Sequence, residues 1–164
     1  MEKSLKKGLF LGVFAVVVSA CSTLSPAPVP QKSLFVVWKS PSLKYADQGF
    51  LYMKPKKLKL EVYASGQPAL NISISPSQIC TGLLCMSKEK FNAKYLSKYY
   101  PKDTLELILT GKPIFGGKNL KKSSNGFTQH IKSANYNIKY KVTDSSIEFI
   151  DKISNIVIKI KNQG

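Results

Sequence analysis

The chemistry open to this 164-residue chain is narrow, because it holds three cysteines, one histidine and nine acidic residues. Cys80 and Cys85 flank Thr81-Gly82, a pair suited to a turn, so the two thiols can face each other across a tight hairpin. Zinc would need two further ligands, which a single histidine does not supply. A thiol-redox motif would read C-x-x-C, and this spacing is longer. His130 alternates with Thr128 and Lys132 and so belongs to the polar side of a strand. No serine stands in a G-x-S-x-G elbow. None of the acids has apolar surroundings in sequence that would raise a carboxyl pKa, and no carboxylate pair of the glycosidase type can be picked out. The expectation is a non-catalytic protein with no cofactor and no metal.

Cys21 stands in a different context. Lys3, Lys6 and Lys7 precede an apolar stretch from Gly8 to Val18, which ends in Val18-Ser19-Ala20-Cys21. A basic head, a short apolar run and small residues before a cut site make a secretory signal over residues 1–20. The run falls short of the roughly 20 apolar residues a bilayer span needs. Val18-Ser19-Ala20-Cys21 resembles the lipobox of bacterial lipoproteins. That resemblance implies lipid on the Cys21 sulfur, cleavage before it, and acylation of the new amine (a fatty acid such as palmitate). More than one chain makes a stable membrane anchor. Ser22 takes the place of the aspartate that retains many such proteins at the inner membrane, which implies the outer membrane with the domain facing the periplasm. Lipidation of Cys21 also accounts for the odd cysteine. Cys80 and Cys85 are then left in an oxidising compartment, where a disulfide between them is expected.

The net charge is +16, and every basic residue is lysine. Lysine lacks the planar fork that suits base and phosphate recognition, so no nucleic-acid partner is expected. Two readings of the charge stand side by side: attraction to anionic headgroups or acidic envelope partners, and a solvated lysine-rich surface. Residues 22–33, STLSPAPVPQKS, are small, polar and proline-rich. With Cys21 they form a tether over 21–33. The remainder, 34–164, is long enough for one domain with its own core.

Alternation of apolar and polar residues dominates that domain. Leu58, Leu60 and Val62 share a face, as do Leu70, Ile72 and Ile74, then Ile138, Tyr140 and Val142, then Ile156, Ile158 and Ile160. Leu34–Lys39, Tyr45–Met53 and Phe127–Ile131 also read as strands, with Asp47-Gln48-Gly49 as a bulge or bend and Trp38 as a partly buried aromatic. Ser87 can cap a helix over about 88–99, which Pro101 interrupts, and a second helix over about 102–110 stops at Gly111 and Pro113. Gly116–Asn125, GGKNLKKSSN, reads as a mobile loop. The fold class is α+β, mostly β: strands, two short helices, then strands, with the helices on one face of an antiparallel sheet.

Over about 34–161 this order resembles the LolA/LolB lipoprotein-localisation family. Lys57–Ile74, KLKLEVYASGQPALNISI, is similar to that family's two strands around a glycine-containing loop, and Leu105–Pro113, LELILTGKP, to its helix end L-x-x-W-L-x-G-x-P. Gly126-Phe127 followed by Asn137–Val142, then Ile147–Phe149 and Ile156–Ile160, is similar to its closing strands. The resemblance implies an open antiparallel half-barrel covered by two short helices, with acyl chains held between them. Leu60, Val62, Leu70, Ile72, Ile74, Leu105 and Ile108 are the expected lipid-binding lining. The implied partners are the membrane, lipoproteins or their acyl chains, and a LolA-like carrier. Ile108 stands where the family has tryptophan, and Ser65 where its receptor carries a protruding apolar residue before the loop glycine. The alternative is a lipid-anchored structural or assembly partner of an envelope complex, acting through its lysine-rich outer face.

Overall fold

The two runs of alternating residues become two meanders. The first comprises β1 (Lys32–Lys39), β2 (Lys44–Lys54), β3 (Lys57–Ala64), β4 (Gln67–Ile74), β5 (Gln78–Thr81) and β6 (Leu84–Ser87). The second comprises β7 (Leu120–Ser123), β8 (Gly126–Lys132), β9 (Asn137–Thr143), β10 (Ser146–Asp151) and β11 (Ile156–Asn162). Between them lie the helices α1 (Lys88–Tyr95) and α2 (Thr104–Leu109). The computed structural model describes residues 32–163. The expected export signal over 1–20, Cys21 and the expected tether as far as residue 31 lie outside the described residues. The first strand starts at Lys32, inside the stretch read as tether, because Lys32 and Ser33 already pair with Leu51 and Phe50.

All strands join one open antiparallel sheet in the order β6-β5-β4-β3-β2-β1-β11-β10-β9-β8-β7. The first and last strands therefore meet at its centre, with Val36 opposite Ile160 and Trp38 opposite Ile158. The period of two puts the apolar set on one face. Trp38, Ile158, Phe149 and Tyr140 stand in register across four strands, as do Leu51, Leu60 and Ile72 across three. The sheet edges β6 and β7 are the two ends of one connection, so residues 88–119 must cross the breadth of the sheet. In crossing they cover its inner face with Phe91, Leu105, Ile108, Leu109 and Ile114, all buried in the same core.

The local chemistry of that crossing follows the sequence in part. Ser87 caps α1, its Oγ accepting from the Lys90 N–H at 3.2 Å. The helix ends at Tyr95 and does not continue to 99. The chain turns at Ser97–Tyr100 and presents Tyr100, whose hydroxyl donates to the buried Asp151 carboxylate at 2.6 Å. Gly111 closes the second helix at φ 65°, with Val142 and Ile147 pressed against it.

Three other expectations give way. Trp38 is fully buried, because it sits in the middle of the inner face and not at an edge. Asp47-Gln48-Gly49 makes neither bulge nor bend: β2 pairs continuously with β1, and Gly49 is needed because a Cβ there would lie 2.5 Å from the Glu61 carbonyl oxygen. The ladder is irregular instead between Val62 and Tyr63. Gly116–Asn125 is no loose loop but a 3-10 turn at Phe115–Gly117 followed by β7. The buried Gln129 amide fixes it, accepting from the Ile114 N–H at 2.9 Å and donating to the carbonyls of Ile114 at 3.0 Å and Lys118 at 2.8 Å.

Asp151 is the carboxylate whose surroundings the sequence hid. It is 1 % exposed and also accepts from the backbone N–H groups of Asn137 at 2.8 Å and Ile153 at 3.0 Å. Burial alone would raise its pKa, but these bonds and the Tyr100 hydroxyl hold it below the ordinary value. A group depressed in the folded state adds stability above its unfolded pKa of about 3.9, and that contribution is lost as pH falls. Tyr100→Phe is thus expected to lower stability by about 1.5–3 kcal/mol in urea unfolding at pH 7. Asp151→Asn should flatten the fall in stability below pH about 4 relative to the native chain. An equally steep acid limb in that variant would show that Asp151 is not the group responsible.

Candidate functional site: a pocket at the rim of the sheet

The expected lining residues come together. Leu60 pairs with Ile72 and Val62 with Leu70 on β3 and β4, Ile74 follows on the same face, and Leu105 and Ile108 come down on the core from α2. All are buried. Only Ile74 among them borders open space at the rim, and the other six pack into the core between sheet and helices.

The open space lies where the β2–β3 turn, the β4–β5 turn and the two helices converge. A pocket of about 660 Å³ is walled there by Met53, Leu58, Ile74, Pro76 and Leu107. Around these stand Lys54, Lys56, Lys57, Lys102, Lys88, Asp103 and Glu106. A smaller cavity of about 140 Å³ adjoins it through Met53 and Thr110 and reaches Leu51, Leu109, Val142 and Ile147. The larger volume is within the range of small-molecule sites, and apolar walls with a few charged groups are their usual composition.

One ion cluster fixes the helices beside this pocket. Lys88 Nζ lies 2.8 Å from Asp103 Oδ1 and 2.8 Å from Glu106 Oε2. A cation at the start of α1 opposes that helix's dipole, whereas acids at the start of α2 favour theirs, so the triad relieves the first and uses the second. Burial would lower the Lys88 pKa, but the two carboxylates outweigh it and raise it. The lysine side chain is 5 % exposed and the acids 45 % and 43 %, so solvent screens much of the attraction. Lys88→Met is expected to cost about 1 kcal/mol, or roughly 3 °C in melting temperature, at pH 7. A raised lysine stabilises below its unfolded pKa, so the gap to the native chain should narrow above pH about 10.5. No change in melting at pH 7 would mean that the acids are satisfied by water.

Compared with known protein families and with curated protein sequences, the chain matches none. Among the described residues no helix is long and apolar enough to cross a membrane, and no group of three His, Cys, Asp or Glu side chains is placed to hold a metal ion. The carboxylates with a resolved shift, Glu61, Glu89 and Asp151, are all held below their ordinary values, the opposite of what a general acid needs. On the outer face, His130, Lys121, Lys139 and Lys141 border a groove of about 650 Å³ whose one acid, Glu148, is already 2.8 Å from Lys159.

Cys80 and Cys85 are bonded across the β5–β6 hairpin, with an S–S distance of 2.03 Å. At the tip of that hairpin Leu83 is 103 % exposed and Leu84 62 %. Sequence reasoning missed this pair. The signal was present, since residues 75–87, SPSQICTGLLCMS, carry no charge in a chain with 25 basic residues. Ser65, in the β3–β4 turn, is exposed and adopts φ 51°.

Proposed function

We propose that this chain is a non-catalytic, lipid-anchored protein of the outer membrane that binds acyl chains in the manner of the lipoprotein-localisation family. In this reading the open sheet acts as a half-barrel under its two helices, and Cys21 carries the anchor. The observation that supports it most is the rim pocket, whose wall of Met53, Leu58, Ile74 and Leu107 opens beside the apolar core. Each methylene removed from water there contributes about 0.8 kcal/mol, so a partly inserted chain of eight methylenes gains about 6 kcal/mol before ordering costs. A lipoprotein's acyl chains, handed over by a LolA-like carrier, are the cargo this reading names.

The full chain carrying Cys21→Ala should take up a fluorescent fatty acid, and Ile74→Glu should abolish uptake while the far-ultraviolet circular dichroism stays that of the native chain. Absence of uptake by the folded protein would remove the proposal. In cells, Cys21→Ala should shift the protein from the membrane to the soluble fraction.

The exposed Leu83–Leu84 tip fits a protein held close to a bilayer. Two leucines offer far less than the 1,000 Å² or so that a stable protein interface buries, but each gains about 1.5–3 kcal/mol in hydrocarbon. Leu83→Glu combined with Leu84→Glu should weaken vesicle flotation of the Cys21→Ala chain and leave fatty-acid uptake intact. Unchanged flotation would exclude the hairpin from membrane contact. A second reading, an assembly partner of an envelope complex, is favoured by the cationic groove on the outer face. It requires that crosslinking in cells recover a protein complex and that depletion leave lipoprotein sorting unchanged.

A further inference from the structure

The rim pocket has two unlike parts. Its wall toward the core is apolar, formed by Met53, Leu58, Ile74 and Leu107, whereas its mouth carries Lys54, Lys56 and Lys57 from the β2–β3 turn and Lys102 from the link between the helices. The acids at the mouth offset these lysines only in part, because five lysines, Lys88 included, stand against two carboxylates. Asp103 and Glu106 both reach the buried Lys88 at 2.8 Å, which cancels one of their two charges. Lys102 has Glu89 within electrostatic reach. Lys54, Lys56 and Lys57 make no ion pair among the described residues, although they follow one another around a single turn. The mouth therefore holds more positive charge than its own acids balance, directly above an apolar wall.

We infer that the rim pocket selects amphiphiles with an anionic head, its lysines taking a carboxylate or phosphate while the tail lies against Met53, Leu58, Ile74 and Leu107. This rests on the acyl-chain reading and extends it to the head group. The choice of residue sets how strict the selection is. Ammonium groups on flexible stems act as point charges without the fixed fork of arginine, so they recognise charge more than head-group shape. A fatty-acid carboxylate and the phosphate of a single-chain phospholipid are then both ligands, and a neutral head of the same tail length is a poor one. Because the lysines are exposed, the selection is salt-dependent.

The test uses the full chain carrying Cys21→Ala, loaded with N-phenyl-1-naphthylamine, a neutral dye that fluoresces in apolar sites. Oleate and oleyl phosphate are expected to displace it at about tenfold lower concentration than oleyl alcohol in low salt, with the gap closing as salt is added. The triple variant Lys54→Gln, Lys56→Gln, Lys57→Gln should lose the gap and keep its response to oleyl alcohol. The outer-face variant Lys139→Gln, Lys141→Gln should behave as the native chain. Equal displacement by oleate and oleyl alcohol would overturn the head-group inference and leave acyl binding standing. A gap lost equally in the outer-face variant would also overturn it, by showing diffuse attraction to the whole cation. Failure of the folded protein to bind the dye or any of the three ligands would instead overturn the acyl-chain reading itself.

Discussion

The structure depends on one constraint: a single connection must cover the apolar face of an open sheet whose two edges are that connection's own ends. Pairing β1 with β11 at the centre sends the two meanders outward, so β6 and β7 finish at opposite sides. Residues 88–119 have no route between them except across a face. The inner face, with Trp38, Leu60, Ile72, Phe149 and Ile158 buried on it, is the one that gains from being covered.

Such a crossing is too short to be stable by itself, and helices of eight and six residues have little cooperative strength. Side-chain hydrogen bonds from distant strands hold it. Tyr100 reaches Asp151 on β10, Gln129 on β8 grips Ile114 and Lys118, and the Tyr140 hydroxyl donates to the Lys112 carbonyl at 3.1 Å. Asn92 ties α1 to the following link by donating to the Pro101 carbonyl at 2.9 Å. These polar groups are buried, so each missing partner would leave a desolvated donor or acceptor. The crossing is thereby fixed over the centre of the sheet, where the core is closed, and ends short of the rim. That is why open space is found at the rim, beside the β2–β3 turn, where Lys54, Lys56 and Lys57 fall.

Much of the strand pattern was legible because each strand has one buried face, and the period of two is written in the residues themselves. Leu58-Lys59-Leu60-Glu61-Val62 and Ile156-Val157-Ile158-Lys159-Ile160 announce both the strand and the face it buries. The Ser87 cap and the Gly111 stop were legible for the same reason, since each acts within a few residues of the chain. The end of α1 was not, because it is set by Tyr100 reaching a carboxylate 51 residues away. Nor was the order of Gly116–Asn125, whose partners sit on Gln129 and, through the Asn119 amide donating at 2.9 Å, on the His130 carbonyl.

The candidate site divides along the same line. By itself the sequence determined which residues are apolar on one face and which cysteines of the domain are available to pair, both of which follow from composition and short-range spacing. Only the tertiary structure decided that Leu60, Val62, Leu70, Ile72, Leu105 and Ile108 are packed shut while Ile74 stands at an opening, and that Asp103 and Glu106 are taken up by Lys88. Whether an apolar side chain meets another side chain or a cavity depends on where a covering segment stops. That stopping point is set by contacts between residues far apart in the chain, which no local pattern records.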